Sequence, residues 1–260
     1  MTFRRQFVQG LGGVGLLGAA PAAAAPNTHS GGVFAVRDFG AAGDGARLDT
    51  KPVQAAIDAC ARAGGGRVRF TPGRYLSGTL HLKSGVTLDL DAGAVLLGSR
   101  NLDDYPSAVP AFRSYTDTYT EKSLIYAEKV ENIGIAGRGK IDGQGAAFKG
   151  PYKVRPYTIR AIECRNVLVE DVEIVDSPMW VQHYLACDDV VIRGIRVHSH
   201  VNHNNDGIDI DCCRRVRISD CDVDSGDDAI VLKSTADRSL TDVVVTNCVL
   251  RSTCNALKLG

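Results

Sequence analysis

CRNVLVEDVEIVDS (Cys164–Ser177), DDVVIRGIRVHS (Asp188–Ser199), RRVRISDCDVDS (Arg214–Ser225) and TDVVVTNCVLRS (Thr241–Ser252) are four versions of one pattern. Apolar residues recur at matched places: Val169, Val172 and Ile174; Ile192, Ile195 and Val197; Ile218, Cys221 and Val223; Val245, Cys248 and Leu250. Each segment closes on a serine, and the serines follow one another at intervals of 22 to 27 residues, as expected when each repeat is one supersecondary unit. After each serine comes a loop of variable length and another apolar run: WVQHYLA, GIDIDC, AIVLKS and ALKLG. A unit of two or three short strands without a helix cannot bury its apolar face alone, whereas stacked coils pair every strand with its equivalent above and below. The expected fold is all-β, a right-handed parallel β-helix. A sandwich or propeller would need antiparallel hairpins, and two-residue turns of the Asn-Gly type are few.

Upstream, RVRF, GVTLDL, AVLLG, SLIYA and IGIAG read as further short strands divided by Gly, Pro, Asn and Asp. One helix stands out over residues 51–63. Thr50 can cap it, Pro52 lies in its first turn, and Val53, Ala56, Ile57, Cys60 and Ala61 form one apolar stripe before Gly64 stops it. It is the natural N-terminal cap of the solenoid. At Gly260 the chain stops inside the strand-like NALKLG, where a bare coil edge would be exposed. Residues 26–260 are therefore expected to be an incomplete β-helix domain, with further coils beyond.

The chain has 260 residues, 44% of them hydrophobic, enough for a soluble domain with a core. Lysine plus arginine equal aspartate plus glutamate at 30 each, so no overall field draws the protein to nucleic acid or to an anionic membrane. Residues 1–25 differ: FRRQFVQG precedes the Gly-rich apolar run LGGVGLLGAAPAAAA, which resembles a twin-arginine export signal through Arg4, Arg5 and Phe7. The run is too short and glycine-rich to remain as a membrane span. Cleavage is expected near Ala24, and a bacterial protein exported already folded, periplasmic or secreted, follows. Export would suggest disulfides for the eight cysteines, but Cys164, Cys187 and Cys213 share one place in the repeat and Cys221 and Cys248 another. Recurrence of that kind points to buried free thiols acting as small hydrophobes.

Two acidic clusters, in NHNNDGIDID (Asn202–Asp211) and DSGDDAIVLK (Asp224–Lys233), stand one repeat apart. Registering DGIDI, DAIVL and NALKL puts Asp206, Asp228 and Asn255 in one column on successive coils, about 4.8 Å apart. Asp227 falls level with Asn205. Like charges at that range raise at least one pKa, and a protonated carboxyl beside ionised ones supplies a proton donor and an acceptor. Strict alternation would send Asp206 and Asp228 inward with Ile208 and Ile210, so a turn has to break it there. Asp, Asn and Gly also form ordinary turns, and stacked aspartates can hold calcium through oxygen ligands. No spacing among His183, His200 and His203 resembles a zinc site.

At these residues the sequence resembles glycoside hydrolase family 28, the polygalacturonases and their pectin-cleaving relatives. VRDFGAAGDGARLDTKPVQAAIDAC, GGGRVRFTPGRYLSGTLHLKSGVTLDLDAGAVLLGS and SLIYAEKVENIGIAGRGKIDGQG carry the resemblance along the N-terminal half. More specific are NNDGIDI and SGDDAIVLKS, similar to the family's Asn-x-Asp and Gly-Asp-Asp motifs. The resemblance implies hydrolysis of an acidic pectin-type polysaccharide with inversion, no cofactor and no metal, by a chain expected to be a monomer. It implies that Asp227 is the general acid, that Asp206 and Asp228 activate water, and that Asn204 shapes the site. Asn255 stands where the family has a histidine, and the family's Arg-x-Lys clamp would lie beyond Gly260. Lys233, Lys258 and His183 are candidate substrate contacts, the lysines weighed against a merely solvated role. Trp180 and Tyr184 could stack on sugar or pack in the core. Inverting carboxyl pairs stand roughly 6.5 to 9.5 Å apart, more than one coil, so the difference is expected to come from side chains diverging outward or from Asp227 turning away from Asp228. The rival readings are a calcium-dependent polysaccharide lyase on the same fold and a non-catalytic carbohydrate-binding solenoid.

Overall fold

The computed structural model describes residues 32–115, 121–150 and 154–260, so the export-signal segment lies outside the described residues. Among the described residues the strands form three parallel sheets of eight, eight and seven. The first sheet runs from Gly32–Ala35 to Thr241–Thr246, the second from Asp44–Leu48 to Val249–Ser252, and the third from Leu80–His81 to Leu257–Leu259. Successive strands enter different sheets, and each sheet receives its next strand one coil later. The winding is right-handed, the hand imposed on parallel crossovers by strand twist.

The repeat pattern becomes two ladders of inward side chains. Val68, Leu88, Ile135, Val169, Ile192, Ile218 and Val245 are register partners down the first sheet. Tyr75, Leu96, Ile141, Ile174, Val197, Val223 and Leu250 do the same in the second. Residues such as Ile192 and Ile218 are fully buried, each contributing about 2 kcal/mol of apolar burial. At the corner between these sheets, Asp171, Asp220 and Asn247 take left-handed φ of 62°, 58° and 51°, and Gly137 and Gly194 occupy the equivalent places. Asn, Asp and Gly tolerate that conformation best, which is why those residues punctuate the repeat.

The N-terminal helix spans Thr50–Arg62 and buries Val53, Ala56, Ile57 and Cys60 as expected. Thr50 does not cap it. Asp49 holds the cap position, but its carboxylate accepts the N–H groups of Ala42 (2.7 Å) and Gly43 (2.8 Å), and Thr50 Oγ1 accepts the Gly78 N–H at 2.8 Å. Both side chains bind neighbouring loops rather than the helix's own N–H groups. All eight cysteines are free and six are buried. The Cys187 N–H donates to Cys213 Sγ at 3.3 Å, one coil onto the next. No helix among the described residues is long and apolar enough to cross a membrane.

Candidate active site

The acids sit where the chain enters the third sheet. Ile208 pairs with Ile230 and Ile230 with Leu257, so two residues earlier Asp206, Asp228 and Asn255 stack on successive coils. The Gly207 N–H donates to the Asp228 carbonyl (2.8 Å) and the Ala229 N–H to the Asn255 carbonyl (2.8 Å). Alternation breaks as required: Ala229 and Ile230, consecutive in the chain, both belong to the core. The matching Gly207 also faces inward, since a Cβ there would lie 2.6 Å from Val223 Cγ1 and 2.5 Å from the Ala229 carbonyl oxygen. Asp206 and Asp228 are thereby turned away from the core.

The two stacked acids have opposite environments. Asp206 is 6% exposed and its Oδ1 has no hydrogen-bond partner. Burial, then the charges of Asp209 and Asp227, push its carboxyl up to about 9. Burial also works against ionised Asp228, but there the donors win. Lys258 Nζ donates to Oδ2 at 2.7 Å and Asn255 Nδ2 to Oδ1 at 2.6 Å, holding the carboxyl below its ordinary value. Asp227 is half-buried, and its Oδ1 accepts the N–H of Asp228 at 3.0 Å. It does not turn away from Asp228: oxygens of the two, with Cys254 Sγ, lie within 4.8 Å of one another. The backbone bond across the Asp-Asp step keeps them close.

Beneath this column lies an ionic floor. Asp209 and Asp211 alternate with Ile208 and Ile210 and so face away from the core, yet both are buried. Lys233 Nζ donates to Asp209 Oδ1 at 2.6 Å and sits 3.8 Å from the centre of the Trp180 ring. Burial pushes Asp209 up against the pull of Lys233 and His183. Burial opposes ionised Asp211 as well, but His183 and Thr235 outweigh it and hold that carboxyl at about 2. Lys233 is thus no solvated lysine; its ammonium is committed to Asp209. His183 has no exposed surface, so the expected sugar contact is not available to it. Its ring stacks on Tyr157 at 5.6 Å, meets Trp180 edge-on at 5.2 Å, and places Nε2 3.9 Å from Asp211 Oδ2. Tyr184 is fully buried in the core. Lys258 and Asn255 are exposed at the rim while bonded to Asp228.

Sequence reasoning passed over Asp209, Asp211 and Arg155. The first two were marked by alternation within IDID, on the face that also carries Lys233. Arg155 carried no signal: it reaches the site from another coil, donating to the carbonyls of Pro178 (2.6 Å) and His203 (2.8 Å) and to Asn204 Oδ1 (3.3 Å). Asn204 is half-buried at a left-handed φ of 57°, and Asn205 is locked by bonds to the Ser177 and Met179 carbonyls. Among the described residues, two clusters have the donors to hold an ion: Asp227 with Asp228 and Cys254, and His198 with His200 and Asp224. Five carboxyls (Asp206, Asp209, Asp211, Asp227, Asp228) face two ammonium groups, so the arrangement favours retaining a proton on one acid at neutral pH. A retained proton beside an ionised carboxylate is an acid and a base at one place.

The chain is 34% identical over 212 residues to the "Probable polygalacturonase" of Vitis vinifera, covering 76% of this chain and 43% of that protein. It is 41% identical over 121 residues to the exo-poly-alpha-D-galacturonosidase of Dickeya chrysanthemi, covering 44% of this chain and 20% of that one. The chain thus spans less than half the length of these relatives. The exopolygalacturonase structure from Thermotoga maritima superimposes with a TM-score of 0.77 at 28% identity, covering 88% of this chain and 62% of that one. Residues 72–256, which hold the whole acid column, match the sequence profile of glycosyl hydrolases family 28, and the chain belongs to that family.

Proposed function

We propose that this chain is the catalytic body of an exported hydrolase that cleaves glycosidic bonds in pectin-type polysaccharide. The observation that carries the reading is the Asp206–Asp228 stack, in which one carboxyl is pushed far up and its vertical neighbour is held down. Membership of the family and the polygalacturonase relatives support the substrate class. The twin-arginine segment supports export.

Asp228, ionised by Lys258 and Asn255, takes a proton from the attacking water. Asp227 donates to the leaving oxygen. Its Oδ1 is occupied by the Asp228 N–H, so Oδ2 carries the proton delivered. The water oxygen bonds to the anomeric carbon as the glycosidic C–O bond breaks; one proton passes from Asp227 to the leaving hydroxyl and one from water to Asp228. Asp206, expected with Asp228 to activate water, holds a proton in the resting chain and so is no second base; Asp228 gives its new proton to solvent and Asp227 takes one up before the next turnover. Asn204, Asn255 and Lys258 line the rim and touch sugar, whereas Lys233 and His183 act from below by fixing Asp209 and Asp211. The close approach of Asp227 and Asp228 lies under the general separation for inversion, so the stereochemistry is to be read directly from the anomeric proton of the first product.

The test is release of reducing ends from polygalacturonate by the full chain and by Asp227→Asn. Loss of at least about 100-fold with an unchanged melting temperature is expected. Undiminished release by the variant, or products that absorb in the ultraviolet and vanish with chelator, would overturn the hydrolase reading in favour of a binding module or a lyase respectively.

A further inference from the structure

Outside the acid column, two histidines and an aspartate meet on the outer face of the second sheet. Val197 and Ser199 are buried, so by alternation His198 and His200 both point outward. Asp224 is the register partner of His198 on the next strand of that sheet. His200 Nε2 lies 2.7 Å from Asp224 Oδ1, and His198 Nδ1 lies 3.5 Å from Oδ2. The two ring centres are 5.1 Å apart, and a nitrogen of each with a carboxylate oxygen all fall within 4.8 Å of one another. A hydrogen bond accounts for His200. It does not account for His198, whose separation exceeds the usual range of about 2.7 to 3.2 Å. That separation matches two ligands of one tetrahedral ion, which stand about 3.4 Å apart when each bond is about 2.05 Å.

The donor set selects the ion. Two imidazole nitrogens and a carboxylate suit zinc and its neighbours in the first transition row, whereas calcium takes six to eight oxygens. The His198 side chain is 64% exposed, so an ion enters from solvent and completes its shell with water. Arg251, the next residue in the same column, holds Nε 3.6 Å from Asp224 Oδ2 and competes for that oxygen. The three side chains also stand at the roots of both acid loops. His200 opens the segment that leads to Asp206, and Asp224 the one that leads to Asp227 and Asp228. Between them the Gly226 N–H donates to the Ser199 carbonyl at 2.7 Å.

We propose that His198, His200 and Asp224 form a binding site for a divalent transition ion of the zinc type, and that the bound ion clamps the roots of the two loops that carry the acids. The inference stands apart from the hydrolase reading and holds whatever reaction the column performs.

Zinc chloride titrated calorimetrically into the untagged full chain tests the site. One zinc per chain with a micromolar Kd is expected, not displaced by excess calcium. His198→Ala, His200→Ala and Asp224→Asn change an exposed face, so each variant should fold and bind zinc at least about tenfold more weakly. Cys254→Ser, which dismantles the other candidate cluster at Asp227 and Asp228, should bind as the wild type does. Zinc should also slow amide exchange in residues 199–206 and 224–228 of the wild type, and not in Asp224→Asn. No zinc uptake by the wild type, uptake that survives all three ligand substitutions, or uptake lost with Cys254→Ser would overturn the site. Zinc held by these residues with exchange unchanged would overturn the clamp.

Discussion

Replacing Asp206 by Asn should change how stability depends on pH, and the size of the effect follows from the site. The folded-state carboxyl is pushed up to about 9, against an ordinary value near 3.8 in the unfolded chain. Between those values the folded chain holds one proton that the unfolded chain has released. Stability from this group is therefore fully present below about pH 4 and is lost as pH rises toward 9. The slope is fixed by the proton count at about 1.4 kcal/mol per pH unit, so the wild type should lose about 4 kcal/mol from this residue alone between pH 5 and pH 8. Asn is nearly isosteric and cannot ionise. Urea unfolding of both proteins across that range should show the variant gaining relative to the wild type by up to about 4 kcal/mol, or about 10 °C in melting temperature. Two stability curves that run parallel from pH 5 to pH 8 would mean that Asp206 is already ionised in the fold, and the assignment of the resting proton would fall.

Other perturbations test other parts of the structure. Lys233→Met leaves Asp209 buried without its cation and should cost about 3–5 kcal/mol in urea melts, most of it recovered by adding Asp209→Asn; an unchanged midpoint would count against the buried pair. Gly207→Ala places a Cβ 2.5 Å from the Ala229 carbonyl oxygen and should cost about 1–3 kcal/mol while slowing reducing-end release, because the bend that aims Asp206 must shift. Wild-type stability and rate in that variant would refute the bend. Ile192→Ala, in the middle of the first ladder, should cost about 2–5 kcal/mol by chemical denaturation. Titration with a thiol reagent should find Cys254 reacting in the folded chain, at a rate held back by the Asp228 and Asp227 carboxylates that push its thiol up, and the six buried cysteines silent until the chain unfolds; early reaction of Cys187 would show the coils to be looser than described.

What the sequence displayed was the part governed by period. The matched triplets at 169, 172 and 174 and their equivalents became register partners because each coil repeats the same inward side chains, and the same count brought Asp206, Asp228 and Asn255 into one column. Properties that depend on what a neighbouring coil lays over a residue were not displayed. Alternation put His183 on the outer face, but Tyr157 and Trp180 cover it there. Lys233 looked solvated because its partner, Asp209, lies on the previous coil. Thr50 matched a cap on local preference, while the loop at Ala42 and Gly43 took the Asp49 carboxylate and Gly78 took the Thr50 hydroxyl. Asp227 stays beside Asp228 because a backbone N–H, invisible to residue counting, holds its Oδ1. Arg155 lies about fifty residues before Asn204, and only the path of two loops joins them.

The donors that keep Asp228 ionised, Asn255 and Lys258, come from the coil after it, and the acid that keeps the proton, Asp206, comes from the coil before. The order in which these groups titrate is therefore a property of coil docking. Prying the coil that holds Leu257–Leu259 off its neighbour would exchange those two donors for water and let Asp228 drift back toward its ordinary range. Loosening of the contact between these two coils would therefore show first as a change in acid strength, and a titration would register it before circular dichroism lost a strand.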